Sequence, residues 1–358
     1  MEQNTMVPKF KKKILSIDGG GIRGIIPAML LNYIEKKTGK PIASMFDLIA
    51  GTSTGGILAL GLTKGNSDSS APMYTCAELV DFYCKKGRMI FTEFIPGSLD
   101  DLVQPKFTSE HRQKVLDDLL EESKIEDAIK EVYITSYDIE LRVPVFFTSN
   151  PKSESNNILE NNDYSRTLCK GFKMVDAAMA TSAAPTFFQP YKTKSTETKL
   201  DSTDYALIDG GVFANNPTAL ARTQVISSHA RDNNGEELQQ DQILVVSLGT
   251  GTMRRKYEYR DAKKWGQLQW LTPLIDVLLD GQSEAVSYQL YQLMETEGEN
   301  KNYYRFQVKL DGDDGHDRMD NTSPKNIEYL KCLGNNLITS EKSQKDLNEL
   351  CEILTAEY

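Results

Sequence analysis

Histidine is scarce in this sequence, and this scarcity limits the catalytic centres that the chain can build. Its 358 residues include three histidines: His111, His229 and His316. The first two lie in polar stretches with a helical pattern, which is typical of surface residues. The third lies in an acidic, glycine-containing loop over 311–317. A mechanism that requires a histidine would therefore have to use His316.

Cysteine is also sparse, with five residues at scattered positions. The number is odd, and the spacing matches neither a disulfide framework nor a set of metal ligands. We therefore expect reduced thiols that pack as small apolar side chains, and no metal site.

Long apolar runs and excess positive charge are missing too. No run of about 18 apolar residues is present, so nothing is expected to span a bilayer. The polar segment 1–13 lacks the apolar core of a signal peptide, and we expect a cytoplasmic protein. The net charge of −10 argues against a nucleic-acid partner and against strong electrostatic attraction to anionic lipid. Hydrophobic contact with a membrane remains compatible with this composition.

The most informative stretch, 46–60, predicts a strand, a sharp turn and a helix. The apolar run Phe46–Ala50 is followed by the pattern G-x-S-x-G, which consists of Gly51, Ser53 and Gly55. In a nucleophile elbow this turn lifts a serine hydroxyl above the carboxyl end of a sheet. The following helix directs its positive end toward the serine, where an oxyanion would form. The pattern predicts Ser53 as a nucleophile.

A glycine-rich loop follows the first predicted strand, Lys13–Ile17, and precedes a helix that begins near Ile25. Its spacing also satisfies G-x-G-x-x-G, the fingerprint of dinucleotide-binding folds. That fold needs an acidic residue at the end of the second strand, where this chain has Ala50 and Gly51. The same glycines, Gly19, Gly21 and Gly24, fit better in an oxyanion hole formed by consecutive backbone N–H groups. Arg23 would orient this loop, bind a lipid phosphate or pair with a loop carboxylate.

A serine nucleophile needs a base, and Asp209 is the best placed candidate. It follows the short strand Ala206–Ile208 and precedes two glycines, so a strand end would hold its carboxylate. Such a carboxylate can accept the serine proton directly, in a Ser–Asp dyad. The chain order Ser53, Asp209, His316 also matches the α/β-hydrolase triad. Against the triad, the elbow comes very early and His316 lacks a strand end.

The order of elements predicts an α/β fold with a mainly parallel sheet covered on both faces. We expect one domain over 1–358, with a motif-bearing core over about 12–255 and a helical extension over about 256–358. Segment 87–104 is predicted to be irregular, and its apolar residues would fold onto the core or form a flap over a lipid site. Other predicted elements are strands Val132–Tyr137, Val143–Thr148, Gln242–Leu248 and Tyr303–Val308, and helices Met174–Ala184, Trp270–Met294 and one capped by Asn at Asn215–Pro217.

Three blocks together resemble the signature motifs of patatin-like phospholipases. They are DGGGIRG at Asp18–Gly24, GTSTGG at Gly51–Gly56 and DGG at Asp209–Gly211. They occur in the family's order, and Ala177–Pro185 and Asn215–Pro217 are also similar to family segments. The resemblance covers about residues 12–255.

The resemblance implies a three-layer α/β/α sandwich akin to the catalytic domain of cytosolic phospholipase A2. It implies a Ser–Asp dyad without histidine that releases fatty acids from glycerolipids, with no cofactor, calcium or other metal. Transient contact with a membrane surface or micelle follows from such a substrate. Carried over by position, Ser53 is the nucleophile, Asp209 the base, Gly19, Gly20 and Gly21 the oxyanion hole, and Arg23, Gly24, Gly51, Gly55, Gly210 and Gly211 the supporting motif residues.

Two alternatives to a constitutive hydrolase remain open from the resemblance. Members of this family also serve as storage proteins, and some bacterial relatives are phospholipase effectors that cyclic nucleotides activate in anti-phage defence. The sequence contains no recognisable nucleotide site. The lipid head group, acyl position and oligomeric state stay open as well.

Overall fold

A computed structural model describes residues 10–66, 68, 71–93, 105–153, 164–197, 204–254, 256–298, 301–311 and 315–356. The strands are β1 (Lys12–Ile17), β2 (Leu48–Gly51), β3 (Glu131–Asp138), β4 (Val143–Thr148), β5 (Arg166–Leu168), β6 (Tyr191–Thr193), β7 (Tyr205–Asp209), β8 (Ile243–Leu248), β9 (Thr252–Met253), β10 (Tyr303–Phe306) and β11 (Lys309–Leu310). The helices are α1 (Ile25–Thr38), α2 (Ile42–Met45), α3 (Thr54–Thr63), α4 (Cys76–Ile90), α5 (Ser109–Leu120), α6 (Met174–Thr181), α7 (Gly211–Ala214), α8 (Thr218–Asp232), α9 (Tyr259–Ala262), α10 (Gln267–Leu293), α11 (Pro324–Thr339) and α12 (Glu341–Thr355).

A mainly parallel sheet forms the middle layer. Its strands follow the order β10–β8–β1–β2–β3–β4–β5, with β7 beside β3 and β6 beside β7. Strands β10, β8, β1, β2 and β3 are parallel to their neighbours in that order, which confirms the predicted parallel core. Strands β4 and β7 are antiparallel to β3.

Helices cover both faces of the sheet, as the apolar strands predict. Leu15 and Ile17 of β1 pack into a core that includes side chains of α1, α3, α11 and α12. Ile14, which points to the opposite face, packs into a second core with side chains of α8 and α10. The architecture is therefore a three-layer α/β/α sandwich.

Several element boundaries differ from the predicted ones. The segment predicted to be irregular from Gly87 begins inside α4, which continues to Ile90 because Ile90 is buried against Phe107 and Phe188. The apolar residues at 94–96 lie outside the described residues. Strand β5, Arg166–Leu168, is not among the predicted strands. Helix α8 begins at Thr218, whose N–H donates to the Asn216 side chain over 3.1 Å.

The part of the chain beyond residue 255 is integrated with the sheet. The predicted strand Tyr303–Val308 forms β10, Tyr303–Phe306, which pairs with β8 and so joins the central layer. Helix α11 packs against α1, and β11 pairs with β9. Among the described residues, no helix is long and apolar enough to cross a membrane.

Candidate active site

Ser53 occupies a strained turn between β2 and α3. Its backbone has φ 53° and ψ −123°, a conformation that non-glycine residues rarely adopt. A Cβ at position 51 would lie 2.2 Å from the carbonyl oxygen of Gly55, and one at position 55 would lie 2.1 Å from that of Ile17. Both flanking positions therefore require glycine, because the backbone itself occupies the space.

The sheet brings Asp209 to Ser53 through an unusual pairing of strands. Strands β2 and β7 both pair with the edge of β3 that β4 leaves free, and they run in opposite directions. Gly51 pairs with Ile134, and Asp209 pairs with Ser136. The carboxyl ends of β2 and β7 therefore meet head to head at the middle of β3.

Asp209 is held by backbone groups and faces the serine hydroxyl. Its N–H donates to the carbonyl of Ala183 over 3.0 Å, and the Gly211 N–H donates to its Oδ1 over 2.7 Å. A hydrogen bond from the Ser53 hydroxyl is among the interactions that lower the pKa of the Asp209 carboxyl. At Gly210, a Cβ would lie 2.1 Å from Thr135 Oγ1, so this turn packs directly on β3.

The electrostatic surroundings of Asp209 suit a base that works near neutral pH. Burial raises the pKa of Asp209 to about 6, because it disfavours the charged carboxylate. The hydrogen bonds from Ser53 and Gly211 and the positive charge of Arg112 act in the opposite direction and limit this rise. At neutral pH the carboxylate is therefore ionised but more basic than an exposed aspartate.

The glycine loop lies against the nucleophile. A Cβ at Gly19 would lie 3.2 Å from the Ser53 Cβ. The Gly19 N–H donates to the Asn215 carbonyl over 3.0 Å, so this predicted oxyanion donor is already occupied. The described residues provide no partner for the N–H groups of Gly20 and Gly21. These two groups are therefore the candidate oxyanion donors.

Arg23 orients the glycine loop from inside the protein. It is buried, and its Nε donates to the carbonyl of Gly20 over 3.1 Å while its Nη1 donates to that of Asp317 over 3.3 Å. Of the three roles that the sequence allowed for Arg23, these contacts match the first. At Gly24, a Cβ would lie 2.4 Å from Thr54 Oγ1, so the loop packs closely on α3.

A buried ion pair anchors the residue that precedes the loop. The Asp18 carboxylate accepts two hydrogen bonds from the Arg305 guanidinium, over 2.9 Å and 2.6 Å. It also accepts one from the Ser283 hydroxyl over 3.0 Å. Residues beyond position 255 thus hold the loop in place.

An apolar cavity opens beside Ser53. Its volume, together with the space at its open mouth, is about 500 Å³, and it is lined by Ser53, Gly21 and side chains of α3, α4 and α5. Its apolar wall includes Ile22, Ile57, Ile90, Phe91, Phe187 and Phe188. An unbranched acyl chain fits the chemistry of this wall.

Arg112 is the charged residue of this cavity, and sequence reasoning missed it. Its side chain is fully buried, donates to the carbonyl of Ser182 and stacks on the Phe188 ring, with the guanidinium carbon 4.1 Å from the ring centre. The sequence contains a pattern that indicates a buried arginine, because Arg112 falls on the same helical face as Val115, Leu116 and Leu119. A charged residue on an apolar face is a candidate for a buried role.

The structure places His316 in a different set of contacts from the dyad. Its Nδ1 lies 2.9 Å from Asn326 Oδ1, and its ring stacks on that of Tyr329 with centres 4.5 Å apart. His111 and His229 lie on α5 and α8, where they contact Thr108 and Asn233. These contacts involve neither Ser53 nor Asp209.

The fold and site together define a nucleophile elbow that faces a buried carboxylate in an α/β/α sandwich. The sequence profile described as "Patatin-like phospholipase" matches residues 15–222. The chain therefore belongs to the patatin-like phospholipase family.

Individual relatives match over most of the chain. "Patatin-like protein 4" of Arabidopsis thaliana is 32% identical over 377 residues, which cover 97% of this chain and 89% of the relative. "Probable inactive patatin-3-Kuras 1" of Solanum tuberosum is 32% identical, with 95% and 89% covered. "Patatin-like protein 2" of Oryza sativa subsp. japonica is 31% identical, with 93% and 85% covered. The similarity thus extends well beyond the matched profile, into the C-terminal region.

Proposed function

We propose that this protein is a lipid acyl hydrolase that cleaves carboxylic esters of glycerolipids through an acyl-serine intermediate. The observation that carries the proposal is the meeting of the carboxyl ends of β2 and β7 on β3, which brings Ser53 to the buried carboxylate of Asp209. A serine becomes an effective nucleophile when an adjacent base accepts its proton. Membership of the patatin-like phospholipase family supports hydrolase chemistry at this site.

The first half-reaction forms the acyl-enzyme. Asp209 takes the proton of Ser53 while the serine Oγ attacks the ester carbonyl carbon. The N–H groups of Gly20 and Gly21 donate to the resulting oxyanion, and the positive end of α3 stabilises it further. The C–O bond to the lipid alcohol then breaks, and the proton on Asp209 passes to the leaving oxygen.

The second half-reaction releases the fatty acid. Asp209 takes a proton from a water molecule, which attacks the acyl-serine carbonyl. The same two N–H groups stabilise the second oxyanion. Breakage of the ester bond returns the proton from Asp209 to Ser53 and frees the carboxylic acid.

The dyad is supported over a Ser53–Asp209–His316 triad by the hydrogen bond from Ser53 that lowers the pKa of Asp209. In a triad the imidazole lies between these two side chains. Here the His316 ring is engaged with Asn326 and Tyr329 instead. We therefore assign no proton transfer to His316.

A non-catalytic storage role is the competing proposal, because one relative is named as probably inactive. The strained conformation of Ser53 argues for catalysis, since backbone strain at a position lined by glycines is typical of functional sites. The two proposals differ in one measurable property, which is ester turnover by the pure protein.

The experiment compares wild-type protein with Ser53→Ala. Fatty acid release is measured from phosphatidylcholine in mixed micelles, and a fluorophosphonate probe is used to label the nucleophile. We expect release by the wild type alone, and a phosphonyl adduct on the peptide that contains Ser53. Equal release by Ser53→Ala, or no release by either protein, would overturn the proposal.

A further inference from the structure

One exposed surface combines basic, aromatic and aliphatic side chains, although the chain as a whole is acidic. We infer that this surface, formed by residues 254, 256–270 and 273–278 and called the docking surface below, binds the protein to an anionic lipid surface. The inference rests on the proposed function, because a lipid hydrolase meets its substrate in an aggregate. It adds where the contact occurs and which lipid charge it selects.

The charge of the docking surface is opposite to that of the whole chain. Residues 254–264 contain six lysines and arginines and two acidic residues, in a protein of net charge −10. Lys256, Arg260, Lys263 and Lys264 are exposed. Basic side chains close to a membrane are attracted to anionic lipid within about a Debye length. The acidic composition therefore does not prevent a local attraction to anionic lipid.

Aromatic side chains lie among these basic residues. The rings of Tyr257 and Trp265 pack edge to face at 5.4 Å, and those of Trp265 and Trp270 at 5.1 Å. Trp270 is 40% exposed and Tyr259 is 80% exposed, and the Lys263 ammonium lies 5.9 Å from the Tyr259 ring centre. Tryptophan and tyrosine favour the boundary between lipid and water, because each ring has an apolar body and a polar end.

An aliphatic face of α10 continues the docking surface. Leu274, Val277 and Leu278 are spaced as neighbours on one side of the helix, and each is close to half exposed. Leu268, at the start of the helix, is 82% exposed. An amphipathic helix with basic flanks is the usual form of an element that lies in the plane of a membrane surface.

Hydrogen bonds and packing through α10 connect the docking surface to the active site. The hydroxyl of Tyr257 donates to Asp276 over 2.7 Å and fixes the basic segment to α10. One turn further along α10, Leu279 lies against Gly211, which follows the catalytic carboxylate at Asp209. Ser283 on the same helix donates to Asp18 below the glycine loop. Lipid bound at the surface would therefore lie against the helix that supports both halves of the site.

Lipid fits this surface better than a second copy of the chain does. Two copies that met through this face would bring the exposed basic side chains of each, among them Lys256, Lys263 and Lys264, into contact, and like charges oppose such a pairing. An anionic lipid surface satisfies the basic residues and accepts the apolar side chains at the same time.

The test uses vesicles of phosphatidylcholine with and without phosphatidylglycerol, in a flotation assay with the full chain. The variant carries Lys256→Glu, Lys263→Glu and Lys264→Glu. The matched control carries Lys36→Glu, Lys342→Glu and Lys345→Glu, which change the net charge equally at exposed sites elsewhere. We expect the first variant to bind phosphatidylglycerol vesicles at least about a hundredfold more weakly, and the control to bind like wild type.

Two further measurements distinguish a failure of this inference from a failure of the proposed function. The docking variant should hydrolyse a soluble short-chain ester at the wild-type rate, and Ser53→Ala should bind vesicles like wild type. Equal vesicle binding by the docking variant and wild type would overturn the inference. An equal loss in the control, or a change of oligomeric state in the docking variant alone, would overturn it as well.

Discussion

The hydroxyl of Thr250 donates to the carbonyl oxygen of Gly19 over 2.5 Å. In a planar trans peptide the carbonyl and the next N–H point in opposite directions, so this bond also directs the N–H of Gly20. The bond from Arg23 to the Gly20 carbonyl directs the N–H of Gly21 in the same manner. Two buried side chains thus set the two candidate oxyanion donors.

Replacement of Thr250 by valine removes this hydrogen bond at nearly constant volume. We expect kcat for a soluble ester to fall about tenfold, since loss of one oxyanion donor outright costs about a hundredfold or more. KM should change little, because the donors act on the transition state. Steady-state kinetics test this, with Thr250→Ser as the control that keeps the hydroxyl. A Thr250→Val enzyme with wild-type kcat would contradict the role.

The pH dependence of hydrolysis follows from the environment of Asp209. Burial raises the pKa of Asp209 to about 6, so we expect the proposed base to be protonated and inactive below that value. We expect kcat/KM for a soluble ester to rise with pH through about 6 and then to level off, since this parameter reports the free enzyme. A profile that is flat from acid to neutral pH would be inconsistent with Asp209 as the base.

Arg112 should influence that profile through its charge. Its positive charge lowers the pKa of Asp209, so its removal should raise that pKa and shift the acid limb to higher pH. Arg112→Gln is expected to lose more activity on the acid side than on the alkaline side, and Arg112→Lys should lose less. Thermal unfolding of both variants controls for the lost bond to Ser182. An unshifted acid limb in a folded Arg112→Gln would disprove the coupling.

The Asp18–Arg305 pair should be important for stability. Removing one partner of a buried pair leaves an uncompensated charge, which typically costs about 3–5 kcal/mol. Arg305→Met should therefore lower the free energy of unfolding by about that amount. Urea denaturation measures it, and the double variant with Asp18→Asn should recover part of the loss. No recovery in the double variant would mean that packing of Arg305, not its charge, matters.

The sequence predicts the nucleophile turn and the strands well because each depends on residues that are close together in the chain. The glycines beside Ser53 reflect backbone contacts of the turn itself, and the apolar strands reflect burial on both faces. The start and end of α1 also follow from its pattern, with Gly39 at φ 66° after its last turn.

Features that depend on long-range pairing could not be predicted. The meeting of β2 and β7 on one edge of β3 brings Asp209 to Ser53, yet no local pattern encodes the antiparallel direction of β7. The bond from Thr250 to Gly19 spans 231 positions, and that from Arg305 to Asp18 spans 287. The hydrogen bond from the Gly19 N–H to the Asn215 carbonyl also joins residues far apart in the sequence, so it could not be predicted either.

The central claim is that Asp209, without a histidine, activates Ser53. The most direct measurement is kcat/KM for a soluble short-chain ester in Asp209→Asn and His316→Ala, with Ser53→Ala as the baseline and circular dichroism as the control for folding. We predict a loss of at least about a hundredfold in Asp209→Asn, because the base is gone, and wild-type activity in His316→Ala. Wild-type activity in Asp209→Asn, or loss of activity in a folded His316→Ala, would contradict the account.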